Sequence, residues 1–126
     1  MVYGPGRLLN EVVELGYIAE LRRAGDLQFV IILNYVVLVG RFQDRIIDLG
    51  LPATPDFPRS VGSSMHVCAS PQLLESQNIP NVMNIIASPL GPEWRYWSHN
   101  FNWGGERERS AARLLFQVNA IFERVP

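Results

Sequence analysis

The run Trp94-Arg95-Tyr96-Trp97-Ser98-His99-Asn100-Phe101-Asn102-Trp103 holds all three tryptophans of the chain and one of its two histidines, His99. An indole needs a deep apolar seat and an outlet for its one N–H donor. Three copies this close cannot all lie in solvent without exposing a large apolar patch. The run is therefore either a plug that closes the core or a wall of a binding site. Buried aromatics are ordinarily core, which favours the plug; His99, Asn100 and Asn102 keep the site reading open. In extended backbone Trp97, His99 and Phe101 share one face, and aromatics flanking a polar group have the composition of an interaction hot spot. Trp103, beside Gly104-Gly105, is expected to anchor the element that follows.

That element reads as a helix over 106–125. Ala111, Leu114, Leu115, Val118, Ile121, Phe122 and Val125 repeat at helical spacing, with Arg107, Glu108, Arg113, Gln117 and Arg124 opposite. Glu106 and Glu108 fall in the expected first turn and Arg124 in the last, as the helix dipole prefers. Leu115 sits mid-stripe, so it is expected to be a structural keystone.

Working back from the aromatic run, 71–92 is rich in Pro, Asn and Ser and reads as a long loop, with one helical turn or a short strand at 82–86. Pro52, Pro55 and Pro58 make a rigid elbow that cannot join a central ladder, and Pro58 is assigned a structural role. Apolar alternation predicts strands at 17–23 and 63–70, the near-continuous β-branched run predicts one at 27–39, and Ile46, Ile47 and Leu49 predict one within 42–51. Leu8, Leu9, Val12 and Val13 predict a short helix ended by Gly16. Together these give one α+β domain over 1–126: an N-terminal helix, a four-stranded antiparallel meander, a proline elbow and long loop, and a C-terminal helix packed on the sheet.

Composition narrows the function classes. Apolar residues make up 48% and charged residues 18% of the 126, as in an ordinary globular domain. No apolar run is long enough to span a bilayer. Residues 1–6 do not resemble a secretion signal, so the chain is expected to be cytoplasmic. A net charge of −1 offers no field to draw in nucleic acid. The single cysteine, Cys68, excludes an internal disulfide and a multi-cysteine zinc site. In a strand pattern it reads as a small structural residue rather than a nucleophile. His66 and Cys68, two apart, share a strand face but make a weak metal pair. His99-Asn100-Phe101-Asn102 hints at a His/Asn nuclease motif without the further histidines such a site needs. The glycine pairs lack the spacing and the lysine of a phosphate-binding loop, so neither cofactor nor metal is expected. All 11 basic residues are arginine; codon bias explains this, unless the protein works beside lysine-directed chemistry.

Element order and punctuation resemble the ubiquitin-conjugating enzymes (UBC-like fold). Asp56-Phe57-Pro58 is similar to their Tyr-Pro elbow, and Ser70-Pro71-Gln72 stands where His-Pro-Asn would be. Trp103-Gly104-Gly105 resembles the Trp-Ser-Pro that opens their next helix. The run Trp97-Ser98-His99-Asn100-Phe101-Asn102-Trp103 is closer still to the Trp-Ser-Arg-His-Trp signature of a bacterial branch, prokaryotic E2 family E, associated with multi-ubiquitin-like operons. The resemblance covers about residues 8–125.

The departures bear on function. Thioester transfer needs a thiolate after the Pro71 motif, yet no cysteine occurs between Ala69 and Pro126, and Gln72 replaces the oxyanion-stabilising asparagine. The resemblance thus implies a binding or adaptor scaffold for a ubiquitin-like protein, its E1-like activating enzyme or a JAB-type peptidase. Arg95, Trp97, Asn100, Phe101 and Asn102 would form the binding surface around His99. The alternative is an enzyme in which His99, or Cys68, relays an acyl group or acts as a general base. A scaffold beside an activated carboxyl terminus would also gain from lacking lysines of its own, because arginine stays protonated and forms no such amide.

Overall fold

Leu8 and Val12, four residues apart, are both fully buried on helix α1 (Pro5–Glu14). The helix starts after Gly4, whose φ of 104° suits glycine and whose N–H donates to the Phe57 carbonyl at 2.8 Å. A Cβ at Gly4 would lie 2.9 Å from the Pro55 carbonyl oxygen, so the helix start and the proline elbow fit only around a bare backbone. In this computed structural model, which describes residues 2–105 and 107–126, seven strands follow. They are β1 (Ile18–Ala24), β2 (Leu27–Val36), β3 (Ile46–Pro52), β4 (Met65–Cys68), β5 (Gln77–Ile79), β6 (Met83–Ser88) and β7 (Gly91–Trp97). Helix α2 (Ala111–Arg124) ends the chain.

All seven strands form one antiparallel sheet in the order β1-β2-β3-β4-β7-β6-β5. This overturns the expected UBC-like architecture of a four-stranded meander followed by a long loop. The stretch 71–92 supplies β5 and β6, and the aromatic run starts inside β7. The physical reason is local. Met83 and Ile85 are turned inward while Asn84 and Ile86 are turned outward, the alternation of a half-buried strand. Asn81 (φ 63°) and Gly91 (φ 141°) take the positive dihedrals of tight connections. The Pro, Asn and Ser density is therefore the punctuation of two short hairpins.

Other boundaries shift for equally local reasons. β2 stops at Val36 after a bulge at Asn34 (φ 55°), whose amide donates to Asp48 Oδ1 at 3.1 Å. Asp44 (φ 75°) belongs to a turn, so β3 begins only at Ile46. α2 begins at Ala111, capped by Ser110 Oγ, and Arg107 and Glu108 precede it. Glu106, expected in its first turn, lies outside the described residues. The Ala111 N–H donates to Glu11 Oε1 at 2.8 Å, so a carboxylate from α1 caps the start of α2.

Both helices pack on one face of the sheet. Leu114, Leu115, Val118, Ile121 and Phe122 meet Val30, Ile32, Leu49, Met65 and Val67 there. Trp97 lies between Phe42 and Phe122, at 6.4 and 5.5 Å between ring centroids, and Trp103 packs against Phe57 at 6.1 Å. Pro58 is buried beside them. Among the described residues neither indole N–H finds an acceptor; each such loss costs about 1–3 kcal/mol, offset here by apolar burial. Among the described residues the opposite face carries no helix. It holds a small separate cluster of Phe29, Ile31, Leu90 and Trp94, edged by Ala24, Leu33 and Cys68.

Candidate functional site on the open sheet face

Strand register fixes what this face presents. One row runs Glu20, Ile31, Gly50, His66, Tyr96 and Ile86 across β1, β2, β3, β4, β7 and β6. Beside it, Ile18 pairs with Leu33 and Cys68 with Asp48 and Trp94, and Val36 with Ile46 lies beyond the bulge. Ile18 is 69% exposed and Ile46 60%, with Val36, Leu27 and Ile86 also open. Apolar side chains on adjacent strands, uncovered by any helix, are what a partner surface offers.

Gly50 is the position that shapes the middle of the face. A Cβ there would lie 2.9 Å from Leu90 Cδ1 and 3.2 Å from His66 Cβ. The missing side chain leaves a hole, and Leu90 from the β6–β7 turn folds over the sheet to fill it. The turn is held by Ser88, whose Oγ accepts the Leu90 N–H at 3.1 Å and lies 2.8 Å from His66 Nδ1. Under the turn, a cleft of about 480 Å³ is walled by Phe29, Pro52, Pro55, Pro89, Tyr96 and His66. His66 is 3% exposed, and burial pushes its pKa down to about 4, so the ring is neutral at physiological pH. Phe29 and Tyr96 meet it edge-on, at 4.9 and 5.3 Å.

At the other end of the face, Cys68 is half-buried beside Asp48 and Glu93. Burial and these two carboxylates push its thiol up, outweighing the opposite pull of Arg22. Such a thiol stays protonated and is a poor nucleophile. His66 and Cys68 do share this face, but His66 is engaged by Ser88. Among the described residues no three histidine, cysteine or carboxylate side chains converge.

The 94–103 run divides between the two faces. Trp94 belongs to the open-face cluster, while Trp97, Phe101 and Trp103 belong to the main core. Trp97 is 0% exposed and Phe101 4%, so both side chains are turned into the main core. The polar members stitch backbone together. Ser98 exchanges hydrogen bonds with Asn84, His99 with Ser64, and Gln117 of α2 clamps the Asn102 peptide. His99 stacks edge-on against Phe101 at 4.9 Å, and burial together with nearby Arg124 lowers its pKa. Asn100 is exposed and bonds Asn102 through its carbonyl. Arg95 turns away to Glu75, at 3.3 Å, and to the Pro92 and Trp94 carbonyls. Gln72 donates to the Glu93 carbonyl, so its amide is not poised as an oxyanion donor.

Sequence reading missed Gly50, Ser88 and the role of His66. The available signal was an isolated glycine within the Ile46-Ile47-Asp48-Leu49-Gly50-Leu51 strand pattern, which marks a close approach by another part of the chain. Compared with known proteins, the chain matches no family model, no curated protein and no solved structure.

Proposed function

We propose that this protein is a non-catalytic adaptor of a bacterial ubiquitin-like pathway, working in the cytoplasm and docking a ubiquitin-like protein on its open sheet face. The observation that carries the reading is the environment of Cys68. The only thiol in the chain lies in a strand, where burial first, and then Asp48 and Glu93, push its pKa up and keep it protonated. Thioester chemistry needs the opposite, a thiolate favoured by neighbouring cations. The pathway itself rests on the resemblance of residues 97–103 to prokaryotic E2 family E.

The exposed Ile18, Val36 and Ile46 support docking on this face, since they gain most from being covered. The competing reading, acyl relay by His99, finds little support in a ring that is half-buried against Phe101 on a backbone tied to Ser64. No helix among the described residues is long and apolar enough to cross a membrane.

The test combines the protein with an E1-like activator, ATP and a ubiquitin-like protein encoded beside its gene. Stable capture with no adduct on non-reducing gels, unchanged in Cys68→Ser, is the expected result. A thiol-labile adduct that vanishes in Cys68→Ser would overturn it.

A further inference from the structure

We propose that the cleft under the β6–β7 turn binds a small planar aromatic ligand, uncharged or cationic, that accepts a hydrogen bond from His66 Nε2–H. The cleft lies on the same open face, with Leu27 in its lining, but the inference does not depend on the protein-docking reading.

The direction of the hydrogen bond follows from Ser88. Its Oγ accepts the Leu90 N–H, and among the described residues its other partner is His66 Nδ1. A hydroxyl carries one proton, and we assign it to Nδ1, the arrangement that uses that proton within the protein. The proton of the neutral ring then sits on Nε2. Among the described residues Nε2 has no hydrogen-bond partner, and we assign it to the cleft that His66 lines. A donor at the wall of a mostly apolar cleft can exchange water for an acceptor carried by a ligand.

Shape and charge narrow the ligand. The volume of about 480 Å³ suits a single small molecule. The walls are rings and prolines with little rotamer freedom, and Leu90 seated over Gly50 holds the turn in place, so little order is lost on binding. Half-buried Tyr96, with Phe29 packed behind His66, gives the lining an aromatic side for a flat apolar body. No arginine lines the cleft, and the only charge at its rim is Asp26. A carboxylate or phosphate would lose water there and meet a like charge, whereas an amine at the rim would meet an opposite one.

Three probes on one ring system test this with the full chain: indole-3-acetamide, tryptamine and indole-3-acetate, followed by calorimetry and by imidazole ¹⁵N NMR. The free protein should show His66 as the Nε2–H tautomer. The amide and the amine should bind at least about tenfold more tightly than the acid, with shifts at the His66 ring and none at His99. Asp26→Asn, a change on an exposed turn that leaves the fold intact, should shrink the preference for tryptamine over indole-3-acetate. His66→Gln should weaken indole-3-acetamide by about tenfold. A His66 ring protonated on Nδ1, equal affinity for all three probes, shifts centred on His99, or no saturable binding by any probe would each overturn the proposal.

Discussion

The two faces of the sheet are built from the same strands and differ in nearly everything else. The helix-covered face closes at its centre: Val30, Ile32, Leu49, Met65, Val67 and Trp97 are each at most 1% exposed. The open face holds a small patch around Phe29 and Trp94, one bare glycine filled by a turn, and a rim of exposed isoleucines and valine. Alternation along each strand sends one set of side chains to the fold and the other to whatever lies outside. Stability is concentrated on the first face, and the groups available for recognition lie on the second.

The sharpest way to break this comparison is a truncation on the closed face. Trp97→Ala removes a ring packed between Phe42 and Phe122 and should cost about 3–5 kcal/mol in a urea melt. A loss below about 1 kcal/mol would mean that the ring is not the centre of the core.

The next effect comes from the open face through pH. Folding lowers the His66 pKa from 6.5 to about 4. Between those values the unfolded chain takes up the proton first, so stability is complete above pH 6.5 and drains away as pH falls towards 4. The contribution is about 3 kcal/mol at most. Melts at stepped pH should show a shallower acid loss in His66→Gln than in the parent, and parallel curves would contradict the buried neutral ring.

Gly50→Val tests the turn. The added side chain must displace Leu90, which should cost about 1–3 kcal/mol and loosen the 88–91 turn, as read by faster amide exchange at Leu90. Smallest in stability should be Ile46→Arg on the exposed rim, within about 0.5 kcal/mol of the parent. The same change should abolish capture of the proposed ubiquitin-like partner, and retained capture would move the docking surface elsewhere.

How much of this was legible before the structure depends on pattern length. The stripe from Ala111 to Val125 spans several turns and was readable as a helix face, as was the shorter Leu8–Val12 pair. β2, with its long β-branched run, was equally plain. β5 and β6 were not, because strands of three and six residues between Pro, Asn and Gly carry too few alternations to outweigh their turns. Missing them reduced the sheet to four strands and made the UBC-like architecture look complete. The aromatic run was readable as a core plug. Its division between two faces was not, since that depends on β7 ending at Trp97. The cleft was least visible of all: Gly50, His66 and Ser88 lie on three strands and meet only through register.

The central claim is that the open face binds without chemistry while the closed face holds the fold. Amide NMR of the ¹⁵N-labelled protein, titrated with the ubiquitin-like partner, tests it most directly. The account predicts shifts clustered on Ile18, Leu33, Val36 and Ile46, saturating and reversible on dilution. Shifts centred on His99 and Asn100 with the open face silent, or a covalent species that dilution does not reverse, would contradict it.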